Sequence, residues 1–418
     1  MKHILITTFG SRGDVQPYVA LGLGLMKAGY RVTLVTSPDA ARGFSDYALP
    51  VRPVSAPFME MATSPEARKA LAGGTSLGLL FKIMPMMRKF MDDQWEVARD
   101  GVDAVVFHPK AMAGQHIAEA LRVPAFMALA APGFSPTGAF PTPLLTSRNL
   151  GAALNRWTYG FMSAMSTSSF KGTVNTFRRE KLGLGPAKTP QLTGELAPKI
   201  YFYSPALLPR PAEWGSDTHV TGFWFLDRPK TWAPPADLVS FLERGPAPIY
   251  VGFGSMASVN PERLGRIIQS AVHQAGVRAV VARGWDGLRL AADDPSIFVL
   301  DAAPHDWLFP RMAAVVHHGG AGTTGAGLRA GRPTLVCPFF GDQPFWGARV
   351  LAQGAGIAPI PQKRLSTDNL ASALTTLTQD AGIAARAAAL GEAIRSEDGV
   401  TAAVTLITRA LGATQGDR

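Results

Sequence analysis

Short apolar runs alternate with helical spacing of apolar residues in the first half of the chain. Residues 3–9 are β-branched and apolar, residues 15–28 carry apolar side chains at helical spacing, and residues 31–36 form a second apolar run. A glycine turn precedes the helical segment and Gly29 ends it. The same order recurs between residues 103 and 130. These patterns predict strand–helix–strand units, which build a parallel sheet covered by helices.

A second series of strand-like runs follows a proline-rich segment, residues 205–235. Helical or turn sequence separates its five runs, so a second parallel sheet is predicted. Two doubly wound α/β domains create a cleft, and ligands of such sheets bind beyond the carboxyl ends of the strands. The five runs are residues 249–253, 278–282, 298–300, 313–317 and 334–337.

The composition excludes several classes of protein. Of the 418 residues, 47% are hydrophobic and 17% are charged, which is typical of a globular chain rather than a disordered one. Cys337 is the only cysteine, so neither an intramolecular disulfide nor a cysteine-ligated metal cluster can form, and we expect a reducing compartment. Charged residues and Pro85 interrupt the most hydrophobic region, residues 77–91, so no membrane span is predicted.

The charge narrows the class of partner. A formal net charge of +10 favours anionic partners such as nucleotides, phosphates or acidic lipid surfaces. The chain has no Lys/Arg-rich block and no recognisable nucleic-acid reader motif, so we expect no nucleic-acid partner. The basic excess is expected to be spread over solvated faces.

The strongest local signal is the glycine-rich loop 317–324, which follows a predicted strand and precedes a helix through Leu328. Glycines let a phosphate approach the backbone, and the free amides of a helix N-terminus favour negative charge. Two threonine hydroxyls and a histidine beside the glycines strengthen the prediction of an anion site. The alternative is a tight strand-to-helix turn without a ligand.

Asp342 and Gln343 lie one strand–helix step further along, between aromatic side chains. An adjacent carboxylate and carboxamide can hydrogen-bond neighbouring hydroxyl groups, and the aromatic rings offer a stacking face, as a sugar requires. The alternative is an aspartate helix cap beside a buried aromatic cluster.

The turn at residues 10–14 also lies at the end of a predicted strand. Its spacing lacks the third glycine of the dinucleotide fingerprint, and no acidic residue ends the second strand, so a hydride-transfer enzyme is disfavoured. Asp14 is either a cap of the following helix or a general base at the cleft.

Together these loops closely resemble the donor-binding signature of family 1 glycosyltransferases, specifically the sterol 3-beta-glucosyltransferase branch. Glycopeptide-antibiotic glycosyltransferases share the glycine loop and the Asp-Gln pair, and they are the close alternative. Segments of the same type extend the resemblance over nearly the whole chain. The matching segments are residues 316–324 and 338–347, with residues 10–17, 222–227, 249–255 and 304–310.

The resemblance implies the GT-B architecture, in which two Rossmann-like, doubly wound parallel-sheet domains face a cleft. It implies inverting transfer of a hexose, glucose from UDP-glucose in this branch, without a metal and without a resident cofactor. Asp14 would be the catalytic base, the glycine loop with His318 would hold the diphosphate, and Asp342 and Gln343 would bind sugar hydroxyls. The implied donor-binding residues are Ser255, Trp285, His305, His318, Gly320, Gly322, Thr323, Thr324, Asp342 and Gln343.

A methionine- and phenylalanine-rich stretch in the first domain suits a flat apolar acceptor such as a sterol or a triterpenoid. A stretch of this kind is more often plain core. With aromatic residues further along the chain, the predicted acceptor contacts are Phe81, Met84, Met87, Met91, Phe134, Phe140 and Trp157.

We assign residues 1–213 to an N-terminal acceptor-binding domain, 214–236 to a linker and 237–395 to a C-terminal nucleotide-sugar-binding domain. Residues 396–418 are expected to form a C-terminal helix that packs back on the N-terminal domain. We expect a cytoplasmic protein, and the basic charge leaves peripheral membrane contact open.

Other functions stay open at this point. An antibiotic, polyketide or glycopeptide glycosyltransferase would use a UDP- or dTDP-sugar. Ala302 and Ala326 replace a base-stacking tryptophan and a ribose-binding glutamate of the plant enzymes, so they leave the nucleotide undecided. A nucleotide-sugar epimerase would need no apolar acceptor. A protein of another class would bind a nucleotide sugar or a membrane surface without catalysis.

Overall fold

The computed structural model describes residues 1–54, 77–188, 196–254, 260–284, 288–290 and 294–416. The chain divides into two compact units. Unit 1 comprises Met1–Pro205, Arg210–Leu226 and Asp398–Arg418, and unit 2 comprises Ala206–Pro209 and Asp227–Glu397. The segment 214–236, expected to be a linker, is therefore divided between the two units.

Unit 1 is built on seven parallel strands among its described residues. Their order across the sheet is β3-β2-β1-β4-β5-β6-β7, and the central strands β1 and β4 are buried along their whole length, as in parallel sheets covered on both faces. The strands are β1 (His3–Thr7), β2 (Arg31–Thr36), β3 (Val51–Pro53), β4 (Ala104–Phe107), β5 (Ala125–Leu129), β6 (Lys199–Tyr201) and β7 (Thr218–Val220).

Helices connect these strands, and a last helix returns to unit 1 from the end of the chain. Within the described parts of the protein, no helix is long and apolar enough to cross a bilayer. The helices are α1 (Arg12–Lys27), α2 (Pro38–Gly43), α3 (Leu77–Ala98), α4 (Ala113–Leu121), α5 (Ala152–Phe177), which continues into a π-helical turn (Arg178–Leu182), and the C-terminal α13 (Gly399–Gly416).

Helix α13 packs against α1 in the core of unit 1. Its buried side chains Ala403, Ile407 and Leu411 are spaced by four residues and so lie on one face. A Cβ at Gly24 of α1 would lie 2.5 Å from Cγ1 of Val400, so the glycine allows the two helices to approach closely. The core of unit 1 is thus completed by the last residues of the chain.

Unit 2 is also built on parallel strands, five within the parts of the unit that the structure describes, in the order β10-β9-β8-β11-β12. The strands are β8 (Ile249–Gly252), β9 (Ala279–Ala282), β10 (Ile297–Leu300), β11 (Val315–His317) and β12 (Thr334–Val336). The helices are α6 (Ala236–Glu243), α7 (Pro261–Gln274), α8 (His305–Leu308), α9 (Ala321–Arg329), α10 (Gln343–Ala352), α11 (Thr367–Gln379) and α12 (Ala381–Ser396), with 3-10 turns at Phe309–Arg311 and Gln362–Arg364.

The prediction of two parallel-sheet α/β domains is confirmed, because every apolar run identified as a strand contains one. Strands β3, β6 and β7 were not predicted. Each has three residues and contains a charged or polar side chain, so it shows no apolar pattern, whereas the equally short β11 and β12 lie within the apolar runs 313–317 and 334–337. Strand β7 lies inside the segment expected to be a linker.

Each sheet reverses its strand order at one point, between β1 and β4 in unit 1 and between β8 and β11 in unit 2. The crossovers on the two sides of such a point run in opposite directions, which opens a crevice at the carboxyl ends of the two strands. The turn that carries Asp14 follows β1, and the glycine-rich loop follows β11. Both loops identified in the sequence therefore lie where doubly wound sheets bind ligands.

Candidate functional site

The turn after β1 folds the Asp14 carboxylate back onto the preceding backbone. Asp14 Oδ2 accepts hydrogen bonds from the backbone amide of Ser11 at 2.8 Å and from its hydroxyl at 3.1 Å. Gly10 has a φ of +140°, and a Cβ there would lie 2.1 Å from Oδ2, so a side chain at this position would displace the carboxylate. Ser11 is the N-cap of α1, and Asp14, the third residue of the helix, completes the capping box, so the N-cap role considered for Asp14 belongs to Ser11.

The other carboxylate oxygen of Asp14 faces two basic side chains from the loop after β4. Lys110 Nζ lies 2.7 Å from Oδ1, and His108 Nε2 lies 3.9 Å from it. Burial alone would raise the pKa of the carboxyl, but Lys110 and His108 outweigh burial, and the pKa is lowered. Asp14 is therefore ionised at neutral pH, and its side chain is still 20% exposed.

His108 is held in one neutral tautomer. The backbone amide of Lys110 donates to Nδ1 at 3.0 Å, so Nε2 carries the proton and points it toward Asp14. Burial, reinforced by the charge of Lys110, lowers the pKa of His108 to about 3. The sequence predicted no role for either residue. The signal that identifies them is their position directly after β4, the strand that pairs with β1.

In unit 2 the glycine-rich loop encloses the imidazole of His318. A Cβ at Gly320 would lie 2.6 Å from Nε2 of this ring, and a Cβ at Gly254 would lie 3.1 Å from Cε1. Gly254 belongs to the loop after β8, so the two loops at the switch point of this sheet meet on the ring. Close backbone contact from both sides thus fixes the position of His318.

His318 presents an unsatisfied polar atom. Its Nδ1 is buried and has no hydrogen-bond partner among the residues that the structure describes. Burial lowers the pKa of His318 to about 4, so the ring is neutral near pH 7. A buried polar atom without a partner destabilises the fold. A ligand that hydrogen-bonds this nitrogen would remove that cost, which fits the predicted anion site.

The N-terminus of α9 supplies backbone amides beside this ring. Gly320 immediately precedes the helix, and Gly322 and Thr323 lie in its first turn, where amides have no acceptor within the helix. Thr324 differs, because its amide and its hydroxyl donate to the carbonyl of Gly320 at 2.9 and 3.0 Å. Thr324 therefore stabilises the turn, while Gly322 and Thr323 offer first-turn amides.

Asp342 and Gln343 begin helix α10, after β12. Gln343 is buried, and its Oε1 accepts from the amide of Phe339 at 2.7 Å, while Asp342 Oδ2 accepts from the indole of Trp346 at 2.8 Å. A Cβ at Gly319 would lie 3.0 Å from the carbonyl oxygen of Gln343, so the two loops are in close contact. Unit 2 thus brings the Asp-Gln pair and the glycine loop together.

His305 begins α8, and its ring stacks on that of Phe309 with centroids 4.2 Å apart. Burial, followed by the neighbouring His318 and His305, lowers the pKa of His317, the last residue of β11. His305 follows the carboxyl end of β10, so it lies at the same edge of the parallel sheet as the glycine loop, which follows β11. Ser255 and Trp285, which were also predicted to bind the donor, lie outside the described residues.

The predicted acceptor contacts differ in exposure. Buried side chains offer no surface to a ligand unless their neighbours move, so the half-buried and exposed ones are the better candidates. Phe81 belongs to α3, but its side chain lies outside those described. The others are the buried Met87, Met91 and Phe140, the half-buried Met84 and Phe134, and Trp157, which is 59% exposed.

Two protein-family models match this chain. The N-terminal domain model of glycosyltransferase family 28 matches residues 4–137, which include the turn at Asp14 and the loop at His108. The C-terminal domain model of erythromycin biosynthesis protein CIII-like proteins matches residues 277–407, which include the glycine loop and the Asp-Gln pair.

Curated relatives match over nearly the whole chain. A sterol 3-beta-glucosyltransferase of Arabidopsis thaliana is 37% identical over 416 residues, which is 96% of this chain and 64% of the relative. A sterol 3-beta-glucosyltransferase of Aspergillus terreus is 37% identical over 427 residues, which is 98% of this chain and 30% of the relative. The chain therefore spans less than two thirds of the length of these relatives.

Solved structures share the fold at low sequence identity. The glycosyltransferase of kitacinnamycin aligns over 98% of both chains with a TM-score of 0.69 and 19% identity. VinC, solved in complex with dTDP, aligns over 98% of this chain and 99% of its own with a TM-score of 0.67 and 19% identity. The solved structures therefore show that the chain has the GT-B fold, and the curated relatives show that it is similar to sterol 3-beta-glucosyltransferases over nearly its whole length.

Proposed function

We propose that the protein is an inverting, metal-independent glycosyltransferase that moves glucose from UDP-glucose to a hydroxyl of a hydrophobic acceptor such as a sterol or a triterpenoid. One observation carries the proposal: sterol 3-beta-glucosyltransferases are 37% identical across 96–98% of this chain. The polar loops at both switch points support it, because transfer needs a base for the acceptor and an anion site for the leaving diphosphate.

The donor half of the reaction belongs to unit 2. As the bond to the sugar breaks, negative charge grows on the nucleotide diphosphate. The first-turn amides of α9 and the neutral N–H of His318 are preorganised donors that can meet this charge without rearranging. Asp342 and Gln343 would hold sugar hydroxyls beside them.

The acceptor half belongs to unit 1. Asp14 would remove the proton of the acceptor hydroxyl, whose oxygen then attacks the anomeric carbon from the face opposite the diphosphate. Lys110 keeps the carboxylate ionised, but its ammonium group contacts Oδ1, the oxygen that would accept the proton. Its side chain is 52% exposed and flexible, so its displacement by the acceptor costs about 1 kcal/mol or less. His108 stays beside the carboxylate and orients it.

A transfer assay with mass-spectrometric detection tests the proposal. UDP-glucose and dTDP-glucose are offered separately, in the presence of EDTA, with a panel of sterols, triterpenoids, polyketides and phenolic aglycones. A sterol or triterpenoid that gains one hexose from UDP-glucose, with inverted anomeric configuration, is the expected product. Activity that EDTA abolishes would contradict the metal-independent mechanism.

A second candidate is an antibiotic, polyketide or glycopeptide aglycone glycosyltransferase that uses a UDP- or dTDP-sugar. The match of residues 277–407 to the erythromycin CIII-like model favours it, because this region contains the predicted donor loops. Transfer from dTDP-glucose alone, to a polyketide acceptor, would select it over the first proposal. Donor binding without any product would instead support a non-catalytic binding protein.

A further inference from the structure

His317 is the last residue of β11 and is completely buried. The two residues before it, Val315 and Val316, are apolar, as the interior of a covered parallel sheet requires. A histidine at this position is costly, because its Nε2 is buried and has no hydrogen-bond partner among the residues that the structure describes. A leucine or a valine would avoid this cost, so packing alone does not account for an imidazole here.

The other nitrogen of this ring holds the glycine-rich loop. His317 Nδ1 accepts from the backbone amide of Gly319 at 2.9 Å. Because Nδ1 is the acceptor, the proton of the neutral ring is on Nε2, where it meets no partner. Burial and the neighbouring His318 and His305 hold the pKa of His317 well below its usual range, so Nδ1 stays an acceptor at neutral pH.

This hydrogen bond acts on the residue at which the loop turns. Gly319 has a φ of +95°, a conformation that favours glycine. A Cβ there would lie 2.5 Å from Cγ1 of Val336 and 3.0 Å from the carbonyl oxygen of Gln343, so its backbone packs closely against β12 and the start of α10. The carbonyl of His317 also accepts from the amide of Cys337 at 2.7 Å. Gly319 is thus fixed by close packing and by a hydrogen bond to a ring that is itself held in the sheet.

The groups that would meet an anion lie on both sides of Gly319 in the chain. His318 precedes it directly, and the first-turn amides of α9, those of Gly322 and Thr323, follow it. A rotation at Gly319 would move the His318 ring relative to these amides, and donors that are displaced no longer stabilise charge together. His317 is completely buried, so any effect that it has on a ligand passes through this loop.

We propose that His317 is a positioning residue, whose Nδ1 holds the Gly319 amide and thereby aligns His318 and the first-turn amides of α9 for a nucleoside diphosphate. This inference rests on the proposed function, because it concerns the anion site of unit 2. It gives a role to a side chain that is not among the predicted donor contacts.

A matched pair of substitutions separates positioning from a contribution to folding. Asparagine and leucine have nearly the same size and shape, but only asparagine presents an acceptor, Oδ1, in the place of His317 Nδ1. His317→Asn buries an unpartnered amide donor and should be the less stable variant, whereas His317→Leu suits an apolar interior. A purely structural role predicts tighter ligand binding by the leucine variant, and positioning predicts tighter binding by the asparagine variant.

Calorimetric titration of the full chain with UDP, and separately with dTDP, measures the effect. For whichever nucleotide the wild type binds, we expect His317→Leu to bind about tenfold more weakly and His317→Asn to stay within about threefold of the wild type. Val315→Ala is the control for lost packing, because Val315 is buried earlier on the same strand and on the same face as His317. Its stability should fall while its nucleotide affinity stays unchanged.

Hydrogen exchange without nucleotide, followed by mass spectrometry, tests the contact itself. Peptides that contain Gly319 should exchange faster in His317→Leu than in the wild type or in His317→Asn. Wild-type affinity of the leucine variant, or equal weakening in the leucine and asparagine variants, would overturn this inference and leave the proposed function intact. A wild type that binds neither nucleotide would contradict the inference and the proposed function together.

Discussion

The two oxygens of the Asp14 carboxylate have separate tasks. Oδ2 closes the turn by accepting from Ser11, whereas Oδ1 faces Lys110 and the N–H of His108. One residue therefore links the start of α1 to the loop after β4. A substitution that keeps the hydrogen bond to Ser11 but removes the negative charge can therefore distinguish the structural role of Asp14 from its proposed role as a base.

We expect Asp14→Asn to lower the rate of sugar transfer by about 10²–10⁴-fold, because asparagine keeps an acceptor for Ser11 but cannot take a proton. Donor affinity, measured by calorimetry, should be unchanged because the donor loops belong to unit 2. Ser11→Ala is the control. It removes one hydrogen bond to the same carboxylate, should lower stability by about 1 kcal/mol, and should retain activity. Full activity of Asp14→Asn would show that Asp14 is not the catalytic base and serves only to cap α1.

Lys110→Met should shift the acid limb of the pH–rate profile to higher pH. Lys110 lowers the pKa of Asp14, so without it the carboxylate becomes protonated at a higher pH as the solution is acidified. Transfer rates measured across the acid range would show the shift. Lys89→Met removes an exposed lysine that lies 3.7 Å from Asp93, and its profile should match the wild type. A profile that does not move in Lys110→Met would mean that another group sets the acid limb.

The sequence identified Asp14 but not its neighbours, and the reason is physical. Asp14 stands in a glycine turn directly after an apolar run, which is a local pattern. His108 and Lys110 reach the same place only because β4 pairs with β1 across a separation of about a hundred residues, as in Ile4 beside Ala104. Strand order is set by packing over the whole sheet, and no local pattern reports it.

At the scale of elements, the strands that lie in apolar runs were predicted, the three-residue β11 and β12 among them, whereas β3, β6, β7 and the long helices α3 and α5 were not. Helix α5 shows a different limit. Trp157 stays a predicted acceptor contact and is exposed in the structure, while Asn155 of the same helix is buried. Periodicity shows that a helix has two faces, but the available hydrogen-bond partners, here the backbone around Gly138 and Thr142, decide which face is covered.

Helix α13 should be essential to the stability of unit 1. Ile407 is fully buried in the core of that unit, so Ile407→Ala should lower the free energy of unfolding by about 2–5 kcal/mol through lost packing and a residual cavity. Denaturant unfolding monitored by tryptophan fluorescence would measure the loss. Thr408→Ala changes the neighbouring, exposed position and should cost less than about 0.5 kcal/mol. Equal effects of the two substitutions would contradict the packing of α13.

At the scale of the whole molecule, buried histidines make stability depend on pH. The pKa of His108 is lowered to about 3 and that of His318 to about 4, both mainly by burial. Between these values and the unfolded value near 6.5, the unfolded chain binds more protons than the folded one, so stability rises with pH and falls on acidification.

The free energy of unfolding should therefore decrease between about pH 6.5 and pH 4, by about 1.4 kcal/mol per pH unit for each such histidine. Urea unfolding at a series of pH values would measure the slope. His108→Asn keeps an acceptor for the Lys110 amide but does not titrate, so its slope should be shallower than that of the wild type. An unchanged slope would show that His108 is accessible to protons in the folded protein.

The order of the two units along the chain affects how the protein is made. Residues 227–397 of unit 2 leave the ribosome before Asp398–Arg418, which unit 1 needs to complete its core. Unit 2 can therefore finish folding first. Until then, the part of unit 1 that precedes unit 2 in the chain lacks the core side chains Ile407 and Leu411. A nascent or prematurely terminated chain that lacks these last residues exposes the apolar surface beside α1, and chaperones and proteases would recognise it there.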